Sequence, residues 1–196
     1  MYLGAVAKPR PKYGFDGKIG LWVIGEEVVA QRSSKFYDKG DVHVVNINMN
    51  TKKFVEMCKI NLIPSILEKV TWKYELVRVQ LDNAGGHGVK TSIDELNTYC
   101  KGKNYKIEFF TQSARSPDVN ALDLGIWNSM QRQVDWVKYD TKAEGSMADR
   151  IMDNVGTMWQ SYDSQKLTNI FELLPRIMKC IIDEKGGNGY QLPRKK

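Results

Sequence analysis

Alternating apolar and polar positions predict short β-strands in the first part of the chain. A period of two is typical of a strand with one buried face. Segments rich in Gly, Pro, Asp and Lys bound these runs, as expected for turns and loops. The predicted strands span residues 2–7, 18–24, 28–31, 42–47, 77–81 and 105–110.

Apolar residues at helical spacing predict helices between these strands. One helix is expected over residues 51–62, with its first residue as the N-cap. Pro64 is expected to start a separate short helix over 65–69 rather than to continue the first one. Another helix is predicted from Ser92, with Glu95 at the capping-box position.

The last third of the chain has a wholly helical pattern. Ser164 is the predicted cap of the final helix, and Pro175 is expected to kink or restart it. The predicted helices span residues 122–139, 143–162 and 164–183.

This order of elements predicts an α/β fold. Strands that alternate with helices favour a mixed sheet with helices on both faces. The length is that of one domain. We therefore expect a single domain over residues 1–196, with a sheet-containing part at 1–121 and a helical part at 122–196.

Composition narrows the class of protein. Hydrophobic residues make up 42% and charged residues 27%, as in ordinary soluble domains. The net charge of +6 permits a polyanionic partner but does not require one. Three widely spaced cysteines disfavour a disulfide framework or zinc site, and we expect buried thiols in a reducing compartment. No apolar run is long enough to span a bilayer, and the protein is expected to be intracellular.

Two aspartates are the candidate metal-binding and catalytic residues. Asp82 follows the strand at 77–81, and Asp123 lies in the first turn of the helix at 122–139. A strand–helix–strand crossover is expected to bring them together at the carboxyl edge of a parallel sheet, where ligands commonly bind. Carboxylate oxygens are ligands for Mg²⁺, and two such ions can promote phosphoryl transfer.

Simpler interpretations remain open for the same residues. Asp82 opens an Asp-Asn-Ala-Gly-Gly sequence that suits a turn. Asp123 stands three residues after Asn120, where an acid favours a helix N-terminus. The pattern around His87 allows a second ligand or a substrate contact, but by itself it favours an ordinary loop histidine.

Taken together, the motifs resemble the catalytic domain of mariner-like transposases, and most closely its plant-type branch. The family pattern is a strand end with D-N-A-x-x-H, then S-P-D-L-N and the final acid of a DDE/D triad. The matching segments are Leu81-Asp82-Asn83-Ala84 with His87, Ser116-Pro117-Asp118-Val119-Asn120, Leu122-Asp123-Leu124-Gly125, Phe15-Asp16-Gly17-Lys18, Arg32-Ser33-Ser34-Lys35 and Gly186-Gly187-Asn188-Gly189-Tyr190.

The resemblance implies an RNase H-like fold and metal-dependent DNA cleavage and joining in the nucleus. Asp82 and Asp123 would be the second and third catalytic acids and would hold two Mg²⁺ or Mn²⁺ ions. Asn83 and His87 would orient the acid or touch DNA. The DNA would carry transposon terminal repeats, and a homodimer is compatible with the family. Basic residues that would contact phosphate are Lys8, Arg10, Lys12, Lys18, Arg32 and Lys35.

The chain departs from the family pattern in its first acid. In the family that acid lies on a first, central strand, upstream of the stretch that residues 2–7 match. Asp16 is no substitute, because the family's own Phe-Asp-Gly-Lys turn occupies its position. We therefore expect an N-terminally truncated domain that is inactive alone, with strand edges that another chain could pair with.

Two other interpretations stay open. The chain is equally compatible with a non-catalytic, transposase-derived module for DNA binding or assembly, because its basic character is retained. It is also compatible with a decayed fragment that has no selected activity.

Overall fold

A computed structural model of the chain describes residues 1–82, 90–114, 116–139, 144–187, 189–191 and 193. Within these residues the strands form three separate pairs rather than the single mixed sheet expected from the sequence. The architecture is mixed α/β. The strands are β1 (Tyr2–Val6), β2 (Lys18–Val23), β3 (Gly25–Val29), β4 (Val42–Asn46), β5 (Val77–Leu81) and β6 (Ile107–Thr111).

The helices lie between β4 and β5, between β5 and β6, and after β6. They are α1 (Thr51–Met57), α2 (Ile63–Lys69), α3 (Lys90–Gly102), α4 (Trp127–Tyr139), α5 (Met147–Ser161) and α6 (Ser164–Asp183). The wholly helical end of the chain is confirmed for the described residues. Strand bounds agree with the predicted ones to within a few residues, as is usual for ends that fray.

Strands β1 and β2 are antiparallel, and so are β3 and β4, whereas β5 and β6 are parallel. Helix α3 supplies the crossover from β5 to β6, as a parallel connection requires. The strand–helix–strand unit predicted around the first acid is thus present, with the chain between Asp82 and Lys90 outside the described residues.

Two apolar clusters lie on opposite faces of β1. Leu3 and Ala5 pack with the cluster built by α1, α2, α3, β5 and β6, which includes the fully buried Phe109. Tyr2 and Val6 pack instead with the cluster built by α4, α5 and α6. Alternate residues of a strand point to opposite faces, so this strand stands between two helical layers.

Gly4 allows the second layer to approach β1 closely. A Cβ atom at this position would lie 2.6 Å from Cη2 of Trp127, which is too close for any side chain. The indole of Trp127 at the start of α4 therefore rests directly on the strand backbone. The position of α4 over the sheet depends on this missing side chain.

The prediction of a separate helix at Pro64 is wrong. Helices α1 and α2 are continuous through a π-helical turn at Cys58–Leu62, in which the N–H of Ile63 donates to the carbonyl of Cys58. The wider turn comes just before the proline, which has no N–H to contribute to the helix. Pro175 likewise lies within α6 without restarting it.

Three predicted helix N-caps are also wrong, because each lies inside the observed helix rather than before it. Asn50, not Thr51, caps α1 by accepting from the N–H of Lys53 at 2.9 Å. Asp163, not Ser164, caps α6. Helix α3 begins at Lys90, before Ser92. Glu95 lies within that helix rather than in a capping box and pairs with Lys59 at 2.6 Å.

The cysteines are partly as expected. Cys58 and Cys100 are fully buried, whereas Cys180 is only half-buried. Burial raises the pKa of the Cys58 thiol to about 12, and the neighbouring Cys100 adds to the effect. These two thiols are therefore packing residues, since thiolate is the reactive form.

Asn97 on α3 covers the outer edge of β6. Its side chain donates to the carbonyl of Phe109 at 3.0 Å and accepts from the N–H of Phe109 at 2.7 Å.

Asn97→Ala is expected to lower the free energy of unfolding by about 2–3 kcal/mol, because both backbone groups lose their partner. Urea denaturation measures this. Thr98→Ala, at an exposed site on the same helix, is the control and should change stability by less than about 0.5 kcal/mol.

Candidate metal and nucleic-acid site

Asp82 lies at the carboxyl edge of the parallel strands. It directly follows Leu81, the last residue of β5, and is half-buried. The N–H of Gln112 donates to the carbonyl of Leu81 at 2.9 Å, so the two strands remain paired up to this edge. The position is the one predicted for the first member of the acid pair.

Asp123 lies in a π-helical turn, Leu122–Ile126, that leads into α4. Asn120 holds this turn from both sides. Its carbonyl oxygen Oδ1 accepts from the N–H of Leu122 at 3.0 Å, and its Nδ2 donates to Oδ2 of Asp123 at 2.8 Å. Asn120 is therefore a positioning residue for the carboxylate, a role that the sequence interpretation limited to helix capping.

Gln80 joins the segments that carry the two acids. Its Nε2 donates to the carbonyl of Val119 at 3.0 Å and to Oε1 of Gln112 at 3.2 Å. The end of β5, the end of β6 and the turn before Asp123 are thereby linked by one side chain. This link was not predicted, because an exposed strand glutamine carries no signal of its partner in the sequence.

The carboxylate of Asp82 is close enough to affect the titration of Asp123. Burial raises the pKa of Asp123, the negative charge of Asp82 raises it further, and the hydrogen bond from Asn120 opposes both. A like charge near a carboxylate disfavours its ionised form. An electrostatic effect of Asp82 on Asp123 is what the expected proximity of the two acids would produce.

This donor set suits a single hard cation. Mg²⁺ is commonly held by one or two carboxylates together with water and substrate phosphates. Across the described ranges, no group of three or more His, Cys, Asp or Glu side chains is arranged to hold a metal. Of the described residues at this edge, Asp82 and Asp123 are the two carboxylates that such an ion would use.

Asn83 and His87, the other residues predicted at this edge, lie outside the described residues. Asp16 is exposed; it accepts from the N–H of Lys18 and forms an ion pair with that side chain at 3.0 Å. It thus belongs to the turn before β2, as expected.

Lys18 differs from the other predicted phosphate contacts. Its ammonium group donates to the carbonyls of Gln160 at 2.7 Å and Tyr162 at 3.2 Å, and its side chain is only 11% exposed. It ties β2 to the end of α5. A phosphate contact would require these bonds to break, so a structural role explains this lysine better.

The remaining predicted basic residues are exposed. Lys8 lines the groove beside β5, and Arg32 lies in the loop between β3 and β4. Others lie over aromatic rings: Arg10 over Trp72 at 5.0 Å, Lys12 over Tyr13 at 5.9 Å and Lys35 over Phe36 at 5.3 Å.

Trp72 forms an aromatic cluster that sequence patterns did not indicate. Its ring lies 5.6 Å from that of Tyr13 and 5.2 Å from that of Phe15. Arg10 stacks on the same indole. Tyr13 and Arg10 are exposed, Trp72 is half-buried and Phe15 is buried. Aromatic and basic groups that reach the surface together can bind nucleic-acid bases and phosphates. Trp72 lies far along the chain from the other members, so only the tertiary fold reveals this surface.

A scan against protein-family models found no match, and a search of curated proteins found none either. Among the helices of the described segments, none is both long and apolar enough to cross a membrane.

Proposed function

We propose that this chain is an RNase H-like catalytic domain of the mariner transposase type, in which Asp82 and Asp123 bind a divalent cation at DNA. The observation that supports this most strongly is the pKa of Asp123, which burial raises and the negative charge of Asp82 raises further. Asp82 follows β5 at the carboxyl edge of the parallel pair, a position that is typical of ligand sites in sheets with parallel strands.

The acid pair would hold the cation, and Asn120 would keep Asp123 oriented toward it. A bound Mg²⁺ or Mn²⁺ would supply charge neutralisation at a phosphate and an activated oxygen nucleophile. The charge of two adjacent carboxylates favours the ion, because each would otherwise repel the other.

Cleavage needs more than this pair. Two-ion phosphoryl transfer requires ligands that fix both metals, and two carboxylates do not fix two ions. We therefore propose that the domain binds DNA in a cation-dependent manner, and that efficient strand cleavage requires a further carboxylate beyond Asp82 and Asp123.

Fluorescence anisotropy with a short labelled DNA duplex tests the proposal. Wild-type affinity is expected to rise about tenfold or more when Mg²⁺ or Ca²⁺ replaces EDTA, because the cation bridges the acids and a phosphate. Asp82→Asn with Asp123→Asn should abolish this gain and leave the affinity in EDTA unchanged or higher. A wild-type affinity that does not respond to the cation would contradict the proposal.

A non-catalytic DNA-binding module is the second candidate. The cluster of Arg10, Lys12, Tyr13 and Trp72 favours it, because such a surface binds nucleic acid without a metal. In that case the double asparagine variant would bind DNA as the wild type does, with or without divalent cation. Affinity would fall steeply between about 50 and 200 mM salt, and Arg10→Ala with Trp72→Ala would weaken it.

A further inference from the structure

A groove separates β1 from β5 beside the acid pair. It has a volume of about 350 Å³ and is bordered by residues 3–6 of β1 and by residues 77–81 of β5. Its lining includes Leu81 and Leu122, the residues next to Asp82 and Asp123. The two strand pairs are not hydrogen-bonded to each other in the described residues.

The backbone of β1 presents hydrogen-bonding groups to this groove. At one end the N–H of Ile24 donates to the carbonyl of Met1, and at the other the N–H of Ala7 bonds to the chain just before β2. Bonded and non-bonded residues alternate along an antiparallel strand. Gly4 and Val6 therefore turn their N–H and C=O groups away from β2, toward β5.

The backbone of β5 does the same from the opposite side. The N–H of Val77 donates to Lys106 in front of β6, and the carbonyl of Leu81 accepts from Gln112 behind it. Alternate residues of β5 are thus paired with β6. Arg78 and Gln80 turn their backbone groups away from β6, toward the groove.

The outer edges of the same strand pairs are covered by side chains. Asn97 bonds both backbone groups of Phe109 on β6. Lys69 donates to the carbonyls of Lys18 at 3.2 Å and Ile19 at 2.8 Å on β2. The fold therefore covers the two edges that face outward, whereas no described side chain bonds the backbone of the two inner edges in this way.

Apolar side chains from two helical layers line the groove. Leu62, Ile66 and Val70 approach from the α1–α2 layer, and Phe171 and Leu174 approach from α6. A chain in the groove would be covered on both faces. Strands covered on both faces have continuous apolar runs instead of alternating polar residues.

We propose that this groove binds an extended, apolar segment of polypeptide as a strand between β1 and β5. The segment would bond to Gly4 and Val6 on one side and to Arg78 and Gln80 on the other. It would join the two strand pairs into one sheet and reach the edge where the acid pair lies. Peptides commonly bind by such strand addition, with backbone bonds supplying affinity and side-chain pockets supplying specificity.

A capped, labelled peptide of consecutive Val and Ile residues with terminal lysines is the probe, in EDTA so that the result is independent of metal binding. Two further versions carry N-methyl groups at alternate positions, one at odd and one at even residues. Because the strand would be paired on both sides, each version is expected to bind at least about tenfold more weakly than the parent. If only one N-methylated version bound more weakly, the peptide would be pairing with a single strand edge, and this result would overturn the proposal.

Amide hydrogen exchange by NMR identifies the surface without any substitution in the protein. Peptide binding should slow exchange at the amides of Gly4, Val6, Arg78 and Gln80. Absence of peptide binding overturns the proposal. Binding without protection at these four amides also overturns it, because it would assign the contact to apolar adhesion or to another surface, such as the edges of β3 and β4.

Discussion

Replacing Asp82 and Asp123 together by asparagine is expected to remove measurable Mn²⁺ binding. Loss of residues that only support metal ligands typically lowers affinity 10–100-fold, and loss of two ligands should lower it by about 100-fold or more. Isothermal titration calorimetry, or the paramagnetic resonance signal of free Mn²⁺, measures the effect. Asp118→Asn is the matched control, since this acid lies in the preceding 3₁₀ turn (Pro117–Val119). Unchanged Mn²⁺ affinity in the double variant would refute a site at this pair.

The same substitutions are expected to stabilise the metal-free protein near neutral pH. Folding raises the pKa of Asp123 through burial and through the charge of Asp82. Protonated Asp123 therefore contributes to the free energy of unfolding. This contribution is fully present below the ordinary aspartate pKa, and it is lost as pH rises through the folded-state pKa. Replacing Asp123 by asparagine removes the ionisable group, so this loss of stability with rising pH no longer occurs. Because the pair is only half-buried and solvent screens it, we expect a gain of about 0.5–1 kcal/mol.

Measuring stability over a range of pH values separates this electrostatic effect from other causes of a change in stability. Thermal melts of the wild type and the double variant should diverge as pH rises through the pKa of Asp123 and should coincide in acid. Added Mn²⁺ should raise the wild-type melting temperature only, since a ligand stabilises the state that binds it. A variant less stable than wild type at neutral pH would contradict mutual repulsion of the two carboxylates.

Phe109→Ala is expected to have the largest effect on folding. Phe109 is 1% exposed and lies at the centre of β6 in the cluster shared by α1, α2, α3 and both parallel strands. Removing a buried phenyl ring typically costs about 3–5 kcal/mol, because lost burial and a residual cavity add together. Domains are commonly stable by only about 5–15 kcal/mol, so much of the variant should unfold in mild urea.

Phe36→Ala is the control for this substitution. Phe36 is 49% exposed in the loop between β3 and β4, so the same change in side chain should alter stability by less than about 0.5 kcal/mol. Circular dichroism during urea denaturation measures both variants. Equal losses at the two positions would show that the core is not centred on β6.

The sequence predicted the acid pair because its signals are local. An apolar strand followed by Asp82, and Asn120 three residues before Asp123, are patterns that short segments determine. Their proximity then required only the crossover rule for parallel strands. The contribution of Asp82 to the raised pKa of Asp123 is compatible with that proximity, although burial is the larger cause of the shift.

Other features depended on contacts between distant segments. The Trp72 cluster combines residues from separate loops, and Asn97 covers β6 through a bond that no pattern along α3 indicates. The separate helix predicted at Pro64 failed for a different reason. A π-helical turn precedes Pro64 and accommodates its missing N–H group. The helix therefore continues and packs against the core, although the proline by itself favours a break.

The close approach at Gly4 links a strand residue to the geometry of the acid pair. Trp127 stands at the beginning of α4, four positions after Asp123, and its ring occupies the space that a methyl group on residue 4 would need. Any larger residue there would push the helix outward and carry one carboxylate away from the other. The position of the turn that carries Asp123 therefore depends on a small strand residue in another layer of the molecule.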